Sequence, residues 1–187
     1  STPTTTEPYS GGSVPTTTEP SASAGGQFKH PNGRLVVRET EDGSRSIGYS
    51  WGENLSAQEI QQQQYEELKD FPDLQYSFNY SGYDFEVGSS YSFTLTDKQT
   101  GEVIHVSHAP YWETYNKNIP AYYTIEQLSI NLKDAYVVTT PELTNDEGIT
   151  DCLCTLIWDT GKSVGMIHGL YSDLKKYTNI AWSLYVY

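Results

Sequence analysis

The sequence predicts a mainly β protein: an antiparallel, jelly-roll-like β-sandwich with one α-helix inserted near residues 57–70. Three observations predict it. Asp-Gly and Thr-Gly turn signals sit between short runs of β-prone residues. About eight such runs stand against one well-marked helix. The runs also follow one another without the regular intervening helices that a parallel βαβ sheet requires.

Taken in order, residues 34–40 and 45–51 read as a hairpin across Glu41-Asp42-Gly43-Ser44. Ser56-Ala-Gln-Glu59 is a capping box, in which Ser56 satisfies an orphan amide and Glu59 reaches back. Ile60, Gln64 and Leu68 then recur at helical spacing, and Pro72 stops the helix. Residues 74–80 read as a strand, and 91–96 with 103–107 as a second hairpin across 97–101. Residues 108–123 read as a hydrated loop, because Pro110 and Pro120 bracket it and Asn116-Lys-Asn118 interrupts its aromatics. In 124–133 a second capping box, Thr124-Ile-Glu-Gln127, competes with the alternation of Leu128, Ile130 and Leu132, and the alternation favours a strand. Residues 135–140 give another strand, and 149–158 with 163–168 a third hairpin across 159–162. A short helix is expected at 172–177. The alternation of Ile180, Trp182, Leu184 and Val186 with Ala181, Ser183, Tyr185 and Tyr187 predicts a final strand with both tyrosines on one face.

Residues 1–26 are of another kind. PTTTEP occurs at Pro3–Pro8 and again at Pro15–Pro20, with YSGGSV and SASAGG as spacers. So little apolar surface cannot offset the entropy of ordering the segment, which reads as a disordered Pro/Thr/Ser/Gly linker. Residues 27–187 then form one binding module of ordinary domain size. The implied context is a piece of a larger, secreted protein.

Charge narrows the partners. Eleven basic and 24 acidic residues leave the chain at −13. That balance repels phosphate backbones, so no nucleic acid is expected. Lys175-Lys176 is the only adjacent basic pair and reads as a solvated helix end. No run approaches the ~20 apolar residues of a membrane span. Sixteen Tyr and four Trp stand beside five Phe, and Tyr suits surfaces that hold polar ligands.

The candidate site follows from that excess. Tyr111, Trp112, Tyr115, Tyr122 and Tyr123 crowd one stretch, with Glu113 and Asn116 beside them. Exposed rings stack on the C–H faces of sugars while neighbouring carboxylates and amides bond the hydroxyls. Tyr185 and Tyr187 offer a second row, ~7 Å apart on a strand. No metal site is expected. His105 and His108 are spaced H-x-x-H, which on a strand sends them to opposite faces. Asn145-Asp-Glu147 with Asp151 could offer oxygens to a structural calcium, but the spacing departs from a calcium loop and an ordinary acidic turn is expected. Cys152 or Cys154 with His168 is a conceivable nucleophile–base pair, and the cysteines read more simply as small buried residues or free thiols. No motif marks a glycosidase carboxylate pair, a P-loop, a nucleophile elbow or a zinc protease, so no cofactor and no catalysis are expected, and a glycoside hydrolase, for which carboxylates are plentiful, is the least supported reading.

The PTTTEP repeats resemble the Thr/Pro linkers of modular cellulosomal and other carbohydrate-active secreted proteins of gut and rumen Gram-positive bacteria. The resemblance covers residues 1–26 and implies context: extracellular plant-polysaccharide breakdown, on a cell surface or cellulosome, with neighbouring modules on the same polypeptide. With that context the expectation is a monomeric, non-catalytic carbohydrate-binding module for a β-glucan or cellulose-type polysaccharide. The alternative is a protein-interaction module of such an assembly, either cohesin-like or an adhesin domain.

Overall fold

The computed structural model describes residues 33–52, 55–89, 91–111 and 114–187, with the backbone alone at 114–117. The linker at 1–26 and the expected domain start near Phe28 lie outside the described residues.

The elements run β1 (Arg34–Glu39), β2 (Arg45–Ser50), α1 (Ala57–Asp70), β3 (Tyr76–Phe78), β4 (Tyr83–Ser89), β5 (Ser92–Asp97), β6 (Val103–Ala109), β7 (Thr114–Ile119), β8 (Thr124–Ile130), β9 (Lys133–Thr139), β10 (Leu143–Thr144), β11 (Thr150–Asp151), β12 (Leu153–Asp159), β13 (Val164–Leu170), α2 (Leu174–Ser183) and β14 (Leu184–Val186). The protein is mainly β, as the sequence predicts. Seven strands form one antiparallel sheet in the order β4-β5-β6-β13-β12-β9-β8. Its outermost strands are β4 and β8. A three-stranded sheet, β1-β2-β7, packs on one face, and a two-stranded ribbon, β14-β3, lies on the other.

Alternation builds two cores. On β12, Cys154, Leu156 and Trp158 join Phe93, Leu95, Val106, Val137 and Ile167 beneath α2 and the ribbon. Ile157 points the other way, with Tyr136, Val138 and Val164, against Leu35 and Ile47 of the three-stranded sheet. The Tyr136 hydroxyl donates to the Leu35 carbonyl at 3.1 Å and ties the two sheets together. Helix α1 starts at the capping box, where Glu59 N–H donates to Ser56 Oγ at 3.2 Å and Ser56 N–H donates to Glu59 Oε2 at 2.7 Å.

The three hairpins form at their turn signals, with Gly43, Gly101 and Gly161 at φ of 83°, 74° and 89°. Residues 149–151 do not continue the third hairpin. Thr150–Asp151 instead pairs with Leu143–Thr144 in a separate arm. Two further expectations need correction. Residues 108–123 are not one loop, because β7 pairs with β2, Tyr115 opposite Ile47 and Thr114 opposite Gly48. The register shifts between Arg45 and Ile47, and Asn118 near the irregularity takes φ 59°, a conformation Asn tolerates better than most residues. The final segment is helical as far as Ser183, and only Leu184–Val186 is strand. Tyr177, Ile180, Ala181 and Leu184 are all buried, and that helical spacing prevails over the period-two pattern.

Two glycines of β13 make room for large rings. A Cβ built on Gly165 would lie 2.5 Å from the Trp158 ring, its cross-strand partner. One built on Gly169 would lie 1.9 Å from the Tyr177 hydroxyl. Gly165→Ala should therefore destabilise the fold by about 1–3 kcal/mol through overpacking. Urea unfolding followed by tryptophan fluorescence measures the change.

Candidate functional site

The face of the β14-β3 ribbon that points away from the core is the candidate site. Leu184 and Val186 are buried, and Phe78 packs against the same core. The period of two then turns Tyr185 and Tyr187 outward, 56 % and 63 % exposed. Ser77 stands opposite Tyr185. Gln75 and Tyr187 exchange both backbone bonds, at 2.8 and 3.0 Å, which extends the pairing by one residue. The outward row on this side is thus Gln75, Ser77 and Asn79, all exposed and none of them charged. The Gln75 amide donates to the Asp73 carbonyl at 3.1 Å. Trp182, 47 % exposed, sits at the end of α2, with its carbonyl 3.4 Å from the Asn131 side-chain nitrogen. In a chain of net charge −13, this strip of phenol rings, amides and a hydroxyl is neutral.

The other expected residues are dispersed. Tyr111 is a core residue, 3 % exposed, and cannot stack on a ligand. Its ring lies 4.3 Å from that of Tyr49 and 6.4 Å from that of Trp51. Its hydroxyl donates to Asp159 Oδ1 at 2.5 Å, and its amide donates to the Glu67 carboxylate. Trp112 and Glu113 lie outside the described residues. Tyr115 and Asn116 are placed on β7 by their backbone. Tyr122 is 71 % exposed at the turn before β8 and stands edge-on to Tyr123, 5.2 Å away, which packs partly against the core. The Arg45 guanidinium holds this turn by donating to the carbonyls of Pro120, Ala121 and Tyr123. Tyr122 precedes β8 and Asn131 follows it, so the length of that strand, roughly 23 Å at ~3.3 Å per residue, separates the tyrosine turn from the end that meets Trp182. The sequence therefore holds two aromatic surfaces that the fold does not merge.

The remaining chemical groups fall into place around the cores. His105 is exposed and His108 buried, as the strand period requires. Cys154 stands opposite Gly169 and faces the core under α2, while Thr155 stands opposite His168, so Cys154 and His168 point to opposite faces. Burial raises the Cys154 thiol to about 11, away from a reactive thiolate. Asn145 Oδ1 accepts the amides of Glu147 and Ile149 at 3.0 and 2.9 Å, and Asp151 accepts the Ser172 hydroxyl at 2.6 Å. Those oxygens serve the turn and its junction with the segment between β13 and α2. No cluster of three or more His, Cys, Asp or Glu able to hold a metal ion occurs among the described residues. No helix among them is long and apolar enough to cross a membrane.

No protein family, no curated protein and no solved structure matches this chain.

Around His108 and Tyr111 lies a buried polar network that sequence reading does not anticipate. His108 Nδ1 is 3.1 Å from Ser163 Oγ, which is 2.9 Å from Thr160 Oγ1. Asp159 accepts the Gly161 amide at 2.7 Å as well as the Tyr111 hydroxyl. Ser163 and His108 resemble parts of a nucleophile–base pair, but Ser163 is fully buried and no substrate reaches it. Burial raises the Asp159 carboxyl and holds the Tyr111 phenol well above its ordinary value. Tyr111→Phe should cost about 1–3 kcal/mol, because a buried carboxyl loses a donor. Denaturant titration near neutral pH checks it.

Burial also lowers His108 from 6.5 to about 4, beside the rings of Phe71 at 4.9 Å and Tyr76 at 4.5 Å. Between those values the unfolded chain binds the proton and the folded chain does not. This contribution is therefore complete above pH 6.5 and is lost as pH falls toward 4, by a few kcal/mol at ~1.4 kcal/mol per unit. The stability of wild type relative to His108→Phe should fall across that window. Urea midpoints of both proteins at pH 7 and pH 4.5 measure it.

Proposed function

We propose that this domain is a non-catalytic carbohydrate-binding module, and that it holds a neutral plant cell-wall polysaccharide of the β-glucan type against the outer face of the β14-β3 ribbon. One observation carries the reading: Tyr185 and Tyr187 are exposed side by side on an uncharged strip of an otherwise acidic protein. Sugar rings present C–H faces that stack on phenols and hydroxyls that bond to the amides of Gln75 and Asn79. An uncharged polymer gains nothing from a charged rim and does not have to displace one. The secreted, modular setting implied by residues 1–26 fits this reading, with the linker spacing the domain from its neighbours.

A second reading, a protein-interaction module, is favoured by the β10-β11 arm. Leu143 and Ile149 lie diagonally on one face of that arm and are 52 % and 59 % exposed. An exposed apolar pair on a projecting hairpin suits a protein surface better than a sugar.

Affinity electrophoresis against soluble glucans, xylans, mannans and pectins tests the first reading. Wild type should be retarded on at least one neutral polysaccharide, with little dependence on salt. Tyr185→Ala and Tyr187→Ala should each weaken retardation about three- to tenfold, the size of one lost stacking contact, and the double variant should abolish it. No retardation of wild type, or full retardation of the double variant, overturns the proposal.

A further inference from the structure

His105 and His168 come from strands distant in sequence, but the fold makes them neighbours. The paired register ends with Met166 opposite Ser107 and Ile167 opposite Val106; continued by one residue along the same two strands, both of which extend beyond it, it brings His168 opposite His105. Val106 and Ile167 point into the core under α2, so both histidines point to the other face of the sheet, where both are exposed. Cross-strand partners hold their Cβ atoms about 4.5–5.5 Å apart. At that separation two imidazole nitrogens can reach one ion with bonds of about 2.0–2.1 Å each.

The neighbours suit such an ion. On β12, Thr155 stands opposite His168, and its hydroxyl lies 2.8 Å from His168 Nδ1. That contact fixes the ring and leaves Nε2 as the nitrogen for a ligand, the arrangement by which outer groups orient metal-bound histidines. Thr94 stands opposite His105 on the far side. The nearest residues on the same face along the two strands are Val103, Ser107, Met166 and Leu170, and none of these four is a cation. The net charge of −13 draws dications to the surface in general, and two imidazoles select among them.

We propose that His105 and His168 form a two-imidazole site for a transition-metal dication of the Zn2+, Cu2+ or Ni2+ class. The protein supplies two ligands, and the remaining coordination positions face solvent, where water or an external donor completes them. The site is separate from the ribbon, and its test does not depend on polysaccharide binding.

Isothermal titration of the full chain with Zn2+, and in parallel with Mg2+, decides it. Zn2+ should bind to one site, and Mg2+, which prefers oxygen ligands, should not compete. His105→Ala and His168→Ala should each weaken Zn2+ binding at least tenfold, and Thr155→Val by a smaller factor. Tyr185→Ala should leave it unchanged. Both histidines are exposed, and circular dichroism confirms that the variants stay folded. Equal Zn2+ affinity in wild type and the histidine variants overturns the proposal. So does Mg2+ binding that matches Zn2+, or absence of Zn2+ binding by wild type at about 1 mM.

Discussion

Along Leu156-Ile157-Trp158, strand β12 has no side open to water. Leu156 and Trp158 belong to one core and Ile157 to the other, and all three are essentially fully buried. A central strand with apolar groups on both faces must be covered twice. Each side chain of this size loses roughly 1.5–3 kcal/mol if its cover is removed. The rest of the architecture meets that constraint. Helix α2 and the β14-β3 ribbon close one face, and β1-β2-β7 with α1 close the other. The missing side chains of Gly165 and Gly169 let Trp158 and Tyr177 lie flat enough for the first cover to sit down.

Closing the two faces has a polar consequence. It traps Glu67, His108, Asp159 and Ser163 below 5 % exposure, and buried polar groups need partners. Tyr111 is central to that network because its ring fills core volume while its hydroxyl and amide satisfy two carboxylates. The tyrosine excess therefore has two origins. Tyr49, Tyr83, Tyr111, Tyr136 and Tyr177 are buried, whereas Tyr80, Tyr91, Tyr122, Tyr171, Tyr185 and Tyr187 reach solvent. Composition reports only their sum; each ring's place in the fold, strand face, helix face or turn, separates the two populations.

What the sequence made legible was local. The hairpin turns and the α1 capping box are chemistry within a few residues, so they could be read directly. The outward direction of Tyr185 and Tyr187 was legible too, since three residues of strand suffice to set it. The α2 segment was not, because Ile180 and Leu184 satisfy period two and the helical period equally. Tyr177, which breaks the tie, falls outside the window of the alternating run. Strand β7 was hidden by a bulge and by Asn and Lys, residues that signal a loop when met singly. Contacts of Glu67 with Tyr111 and the adjacency of His105 and His168 depend on which distant strands become neighbours. No spacing within one strand encodes that.

The seven-stranded sheet ends on β4 and β8, and each carries an outward carboxylate, Glu86 and Glu126 respectively. Two such molecules approaching rim to rim bring like charges together before their backbones can share hydrogen bonds. At high local density, runaway strand addition is a standing hazard for a sheet with open edges. Acidic margins on both terminal strands oppose that addition from either side of the sheet.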